Sequence, residues 1–213
     1  MAGTQSKKGY LRGVRGIRLI KLLETGEKPA EPEIHWIDTA QEVGVEAEVV
    51  AGESADLRGG DRLLLRVEED DSIVGVNLEI RDAKFDAKAT ELIAGGTLIT
   101  DPASPIGSHD IVGWEAPTIA EQADRIPFEA EVYIQAFDDQ GGREAYLKYT
   151  FVFCKGNAAE ITHTDRMWGT PEFEIKAREN PHTNKSTYRK EFIDLTEDDD
   201  DILAPELQLP TEE

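Results

Sequence analysis

Several of the side chains with which enzymes and disulfide-bonded proteins are usually built are scarce in this sequence. Cys154 is the single cysteine among 213 residues, so no disulfide can form within one chain. The four histidines, His35, His109, His163 and His182, are scattered, and none has a second His or Cys at metal-ligand spacing. The glycine pairs lack the Lys-Ser or Lys-Thr of a phosphate loop. These gaps favour assembly or binding over catalysis, and we expect no enzyme, no metal and no cofactor.

Positive charge is also in short supply. Lys and Arg number 23 against 44 Asp and Glu, which gives a formal net charge of -21. Because nucleic-acid affinity depends on basic side chains that neutralise phosphates, this balance argues against a surface that grips DNA. No stretch approaches the ~18 consecutive apolar residues of a membrane span, and the first eight residues lack the apolar segment of a secretory signal. We expect no membrane contact and assembly in a reducing cytoplasm.

The charge that is present divides the chain into three segments. Residues 1–25 carry six basic side chains and one acid, and we interpret them as a basic N-terminal arm leading into the first strand. Residues 194–213 carry nine acids and no base, and their two prolines discourage regular structure, which predicts a mobile acidic tail. Residues 26–193 form the predicted body, which is acidic in its own right.

Alternation of apolar and polar residues predicts that this body is mainly β, a sandwich or barrel. The pattern runs through 43–49, 73–81 and 171–178, and the first of these segments is interpreted as a half-buried strand. Its strongest instance covers 128–137 and 143–153, separated by a polar turn in which Gly141 and Gly142 can supply positive φ angles. This unit predicts a β-hairpin.

One segment departs from alternation. Residues 86–94 are rich in helix formers, with Asp86 placed as an N-cap and two glycines following as a stop, which predicts one short helix. Phe85, Ala89, Leu92 and Ile93 are expected to face the sheet. The stretch at about 100–125 has several Pro and Gly residues together with apolar ones, and we interpret it as a long loop that contacts another subunit.

The order of these elements resembles one known family. A basic arm enters an early strand, alternating strands follow, and the run 85–96 joins the helix to its Gly-Gly stop. With the segment 57–61, the hairpin at 128–153 and the closing stretch 168–181, the arrangement resembles the major tail tube proteins of long-tailed bacteriophages.

This resemblance implies a β-sandwich or barrel flanked by a helix, in hexameric rings that stack into a hollow tube through which DNA leaves the capsid. It also implies a location in the virion tail, assembly in the host bacterial cytoplasm, and contacts with other copies, with tape-measure protein and with a tail terminator. DNA is expected to pass without specific binding.

Two groups of residues are candidates for roles in such a tube. A subunit that lends strands to a shared barrel needs one polar strand face toward water and one apolar face toward its core. The polar positions of the predicted strands are therefore candidate lumen-facing residues: Glu46, Glu48, Asn77, Glu79, Glu129, Glu131, Gln135, Glu144 and Lys148. Candidate contacts between subunits or rings are Lys7, Lys8, Arg12, Arg15, Ile17, Arg18, Ile111 and Trp114.

Stacking requires complementary ends, and attraction between the basic arm and the acidic tail of the next copy is one hypothesis for it. Three other hypotheses are compatible with the sequence. The chain could be an immunoglobulin-like or adhesin-like binding module, although it lacks the Cys-Trp-Cys pattern. It could be the tube protein of a contractile tail or of a secretion machine. An enzyme on a β-barrel is disfavoured by the missing catalytic signatures.

Overall fold

The computed structural model describes residues 7–59, 62–101, 110–123, 125–158, 160–183 and 185–194, without the side chains of residues 58, 59, 63, 123, 143, 144 and 194. The predicted acidic tail beyond residue 194 and the middle of the predicted loop, 102–109, lie outside these residues. The elements are β1 Tyr10–Lys21, β2 Ile34–Ile37, β3 Ala40–Val50, β4 Ser54–Gly59, β5 Arg62–Glu68, β6 Ser72–Asp82, α1 Ala87–Ala94, β7 Thr97–Thr100, β8 Ile111–Glu115, α2 Ile119–Ala123, β9 Phe128–Phe137, β10 Arg143–Gly156, β11 Glu172–Ala177 and β12 Tyr188–Asp194.

Most strands belong to one antiparallel sheet with the order β2-β1-β9-β10-β11-β6-β3, and β12 also pairs with β10. Strand β10 serves two partners: its residues 145–151 pair with β12, and its residues 154–156 pair with β11. The sheet therefore divides at β10. We call β2, β1, β9, β10 and β12 the first half-sheet, and β11, β6 and β3 the second half-sheet.

The core lies between the inner faces of the two half-sheets. It joins residues of the first, such as Leu19, Phe128 and Phe151, to residues of the second, such as Leu78 and Phe173, all of them fully buried. Strand β3, at one end of the strand order, also contacts β1. The prediction of a mainly β sandwich with a short helix is confirmed, because alternation places one apolar face of each half-sheet against the other.

Helix α1 begins and ends where the sequence predicts. The Asp86 carboxylate accepts hydrogen bonds from the backbone N–H groups of Lys88 and Ala89, and Gly95 follows with a φ of 76°. Ala89 and Ile93 are buried against the core as expected, and Leu92 is partly buried. Phe85 differs from the prediction, since it precedes the helix and half of its surface is exposed. The helix instead buries Thr90 and Ala94.

The predicted hairpin is β9 and β10, joined by a tight turn. The backbone N–H of Asp138 donates to the carbonyl of Gly142, and the Asp138 carboxylate accepts from the N–H groups of Gln140 and Gly142. Gly141 has a φ of 80°, whereas Gly142 is not in the positive-φ region. One of the two expected glycines therefore supplies the left-handed conformation.

Two other expectations are corrected. The stretch at 100–125 is not an uninterrupted loop, because β8 pairs with β7 and the second helix α2 follows. Strand β3 is not half-buried along its length: Val43 packs against the core, but Val45 and Val49 are exposed. The reason is that β3, the last strand in the order, leaves the core after Val43, whereas its neighbour β6 stays in the core as far as Val76. Alternation in β3 therefore persists where nothing covers its apolar side. No helix in the described residues is long and apolar enough to cross a membrane.

The Asp86 cap also ties α1 to the sheet, because His35 of β2 lies 2.6 Å from its carboxylate. Burial alone would raise the pKa of Asp86, but the hydrogen bond from His35 and those from the backbone outweigh it and lower the pKa below 3.8. Because the folded-state pKa is depressed, the ionised cap stabilises the fold fully at pH values above the ordinary pKa of aspartate. This contribution disappears as the pH falls through the folded-state pKa.

We predict that Asp86→Ala lowers the free energy of unfolding by about 1 kcal/mol at neutral pH, the usual effect of removing an N-cap. Asp86→Asn keeps a capping oxygen but no charge, and is expected to lose less. Urea unfolding at pH 7 and below pH 3 checks this pH dependence. The difference in the free energy of unfolding between wild type and Asp86→Asn should shrink in acid. A gap that is equal at both pH values would contradict the role given to the ionised carboxylate.

Candidate functional site

Strands β4 and β5 form a two-stranded ribbon that pairs with no other strand in the described residues. Its cross-strand pairs Ala55–Val67 and Leu57–Leu65 place apolar side chains on one face. The opposite face carries an ionic cluster in which Arg66 lies 2.7 Å from Glu68 and 3.7 Å from Asp56. The ribbon is thus amphipathic.

The apolar face of the ribbon is uncovered in the single chain. Leu57 is 59% exposed, Leu65 55% and Val67 49%. The neighbouring ends of β3 and β6 add further exposed apolar residues, Val49, Val50 and Ile73. Exposed apolar residues in this number mark an interaction site, because an isolated two-stranded ribbon is only marginally stable without a surface to pack on.

A close backbone crossing joins the ribbon to β3 and β6. The N–H of Gly52 donates to the Asp71 carboxylate at 3.0 Å, and the N–H of Glu69 donates to the carbonyl of Glu53 at 3.0 Å. A Cβ atom at Gly52 would lie 1.8 Å from the carbonyl oxygen of Glu69. The crossing therefore requires glycine at this position.

Four of the candidate lumen-facing residues, Glu46, Glu48, Asn77 and Glu79, share the outer face of the second half-sheet. Register places Glu46 beside Asn77 and Glu79 beside Glu174. Arg178 neutralises Glu48 at 3.0 Å, and Arg81 lies between Glu42 and Glu172. Within the described residues no ion pair is formed by Glu46, Glu79 or Glu174. Register also places Lys176 beside Asn77 and Lys155 beside Lys176, so the face carries cations as well but keeps an excess of carboxylates.

Glu129, Glu131, Gln135 and Lys148 lie on the outer face of the first half-sheet, and two of them do not face water. Glu129 and Glu131 are buried, with Lys28 2.7 Å from Glu129 and Arg18 3.5 Å from Glu131. Lys148 lies 3.7 Å from Glu131 and 2.8 Å from Glu191. The expectation that Glu129 and Glu131 are solvent-facing is wrong, because cations from neighbouring segments cover them. Gln135 is half-buried on this face, and the side chain of Glu144 lies outside the described residues.

Aromatic residues complete this compensated face. The Tyr133 hydroxyl donates to Glu131 at 2.9 Å, and its ring lies 5.5 Å from that of Trp36. Burial, and then the adjacent Glu131 charge, raise the pKa of Tyr133, so it remains a neutral donor. Hydrogen bonding to Lys148 lowers the pKa of Glu191. The carboxylates of this face that lie on β9 and β12 are paired with cations, in contrast to those of the second half-sheet, although the buried Thr150 hydroxyl has no hydrogen-bond partner among the described residues.

The candidate contact residues differ in their exposure and in the partners that they contact. Ile17 is fully buried in the core, so the prediction that it contacts another subunit is wrong: it belongs to the inward side of β1. Arg18 forms an ion pair with Glu131. Lys8, Arg12, Arg15 and Ile111 are exposed, and Lys7 is partly exposed. The Trp114 indole N–H donates to the carbonyl of Gly95 at 2.8 Å, which fastens β8 to the end of α1.

The first residues of β1 and the last residue of β12 lie on the same side of the first half-sheet. Leu11 of β1 pairs with Ala136, which pairs with Ala145, which pairs with Asp194 at the end of β12. Three strand spacings separate Leu11 from Asp194, roughly 14 Å. The acidic residues beyond Asp194 lie outside the described residues, so the attraction between arm and tail stays a prediction.

No catalytic constellation is found among these surfaces. In the part of the chain that the structure describes, no three His, Cys, Asp or Glu side chains are grouped so as to hold a metal ion. Cys154 is fully buried, and burial raises the pKa of its thiol. The ribbon face is the feature that sequence reasoning missed. The sequence signal for it is alternation. Leu57 stands between two charged residues, and Arg66 stands between Leu65 and Val67.

Comparisons with known proteins are sparse. No protein-family model matches this sequence, and no curated protein matches it. Among the solved structures that match is a chain of the cryo-EM structure of the anti-feeding prophage baseplate, 6-fold symmetrised. The two chains are 12% identical, with a TM-score of 0.32 over 91% of this chain and 99% of the other. A likeness this distant assigns no function, so function is inferred from the surfaces of the protein itself.

We predict that Gly52→Ala disrupts the crossing and loosens the ribbon while the core stays folded. Amide hydrogen exchange should accelerate by about tenfold or more in 54–59 and 62–68, because the ribbon samples open states more often. Gly44→Ala in β3, the strand that precedes Gly52, is the matched control, since its added Cβ would meet Glu79 at an ordinary 3.5 Å. Equal ribbon protection in the two variants would contradict the steric argument.

Proposed function

We propose that this protein is a non-enzymatic structural subunit of a bacteriophage tail tube, which forms hexameric rings that stack into the conduit for DNA. The observation that carries the proposal is the uncovered apolar face of the ribbon formed by β4 and β5. The resemblance of the element order to major tail tube proteins supplies the ring symmetry and the tube. The location is then the virion tail, after assembly in the host bacterial cytoplasm.

The ribbon fits a contact between adjacent subunits of a ring. Its apolar face buries side chains only if another surface covers it, and each Å² of apolar surface removed from water contributes roughly 25 cal/mol. A neighbouring copy is always available at this position in a ring. The ionic face, with Arg66 between Asp56 and Glu68, stays toward solvent and keeps the free subunit soluble.

The outer face of the second half-sheet fits the wall of the lumen. Glu46, Glu79 and Glu174 have no ion-pair partner among the described residues, and carboxylates repel the phosphates of DNA. DNA then passes without specific binding. The outer face of the first half-sheet, whose charges are paired, is left for the outside of the tube. Tape-measure protein inside the tube and a terminator at its end are the further partners.

The ribbon contact is tested by two adjacent substitutions of the same residue type. Leu65→Lys places a charge in the apolar face, and we expect it to abolish rings and tubes because a buried lysine has no partner there. Leu64→Lys is the control, because Leu64 is also exposed but stands at the register shift of the ribbon, where it has no cross-strand partner. Light scattering after size exclusion and negative-stain microscopy, at rising protein concentration, report the assembly state.

Three outcomes separate the alternatives. Tubes of uniform width from wild type and Leu64→Lys, with none from Leu65→Lys, support the proposal. A wild-type protein that stays monomeric at high concentration contradicts it and favours the immunoglobulin-like or adhesin-like binding module. Tubes that recruit a sheath protein would point to a contractile tail or a secretion machine.

The lumen assignment has its own test. Glu46→Lys combined with Glu79→Lys reverses the charge of the outer face of the second half-sheet, and both side chains are exposed, so tubes should still form. DNA ejection should slow, because lysines in the wall would bind the phosphates that pass. Glu27→Lys combined with Glu115→Lys makes the same change in net charge at exposed positions outside this face and is the control. Unchanged ejection from the Glu46 and Glu79 variant would overturn the assignment.

A further inference from the structure

We propose that the Tyr10 end of β1 docks into a groove beside the Lys21 end of β1 on a second copy of this chain, and joins copies head to tail. This inference rests on the proposed function and deepens it, because it names a contact along the tube axis in addition to the ribbon contact within a ring. It is a contact distinct from the predicted attraction between arm and tail, and it involves described residues alone.

The groove lies where β1 ends and β9 begins. Its apolar lining comes from Leu22, Leu23, Pro29 and Ile126, of which Leu23 and Ile126 are exposed. Its rim carries Glu24, Glu31 and Glu33 together with Lys21, which is paired to Glu33 at 3.1 Å. One cation against three carboxylates leaves the rim negative. The groove thus suits an apolar segment with basic neighbours.

Hydrogen bonds hold the groove in shape before anything binds. Lys21 donates its N–H to the carbonyl of Glu33, and Leu22 donates to that of Pro127, both at 3.0 Å. The fully buried Asn180 side chain donates to the carbonyl of Gly26 at 2.8 Å. A Cβ at Gly26, whose φ is 73°, would lie 2.7 Å from that amide. A preformed groove binds without the loss of loop entropy that weakens mobile sites.

The other end of β1 has the complementary composition. Tyr10 is 67% exposed and Leu11 47%, although both are fixed in β1 by pairing with Phe137 and Ala136. The basic side chains of Lys8 and Arg12 flank them and are exposed. An exposed tyrosine held by a strand is a good anchor, because it offers a large apolar ring and loses little conformational freedom on binding.

The contact can form only between copies. Tyr10 and Lys21 are the two ends of one strand, so eleven steps of about 3.3 Å place them roughly 35 Å apart. Because Tyr10 and Leu11 are fixed in the sheet, they cannot reach the groove of their own chain. Two different surfaces that meet in this way make a heterologous contact, which continues from copy to copy. The end of β12 at Asp194 lies on the Tyr10 side and so is remote from the groove.

Complementary charge reversal tests the contact. The variant Lys8→Glu with Arg12→Glu has two acidic surfaces, and the variant Glu24→Lys with Glu31→Lys has two basic ones. Each alone should require about tenfold or more protein to form stacked tubes, measured by sedimentation, because like charges now meet. An equimolar mixture should recover the wild-type threshold, since each acidic end then meets a basic groove. The variant Lys155→Glu with Lys185→Glu makes the same change in net charge as the first pair and should behave as wild type.

The outcomes distinguish this inference from the proposed function. Separate rings from each variant and long tubes from the mixture support both. Wild-type tube formation by both variants, or no recovery on mixing, overturns the docking contact and leaves the tube proposal standing. Monomeric wild type and control at every concentration overturn the proposed function and the docking contact together. Circular dichroism of each variant establishes that it is folded.

Discussion

The fold depends on the way strand β10 shares one of its edges between two partners. Residues 145–151 take β12, and residues 154–156 take β11, which continues into β6 and β3. The pairing of β10 with β9 shifts register between Phe151 and Cys154, at the same point. A bulge increases the local twist and bends the strand. The second half-sheet therefore turns away from the plane of the first and folds over it, and Phe151 and Cys154 are fully buried at the turn.

Much of this architecture could be predicted because its signals are local. Asp86 and Gly95 mark the ends of α1 within nine residues, and the turn at 138–142 fixes the hairpin through the carboxylate of Asp138 and the conformation of Gly141. Alternation identifies a strand and its two faces. It does not tell where the strand leaves the core, which is why Val43 and Val45 look alike in the sequence but differ in burial.

The candidate surfaces were less predictable because their properties come from distant partners. Glu131 meets Arg18, 113 residues away, and so becomes buried and neutralised, whereas Glu79 has the same place in an alternating strand and stays uncompensated. Leu57 and Leu65 read as ordinary strand residues. Their significance comes from the ribbon having no third strand among the described residues, a property of the tertiary structure alone. Sequence charge likewise could not show that Leu11 and Asp194 share a side of the sheet.

The closeness of those ends bears on how the protein can be handled. A fluorescent domain joined directly before Tyr10 of β1 or directly after Asp194 of β12 would lie on the same side of the first half-sheet, since Leu11 and Asp194 are three strands apart. Such a fusion would crowd that side and leave the opposite side, with Leu23 and Ile126, open. A subunit labelled in this way could join one end of a growing tube but would block the addition of further subunits there. Labelled copies could therefore be used to control the direction in which a tube grows.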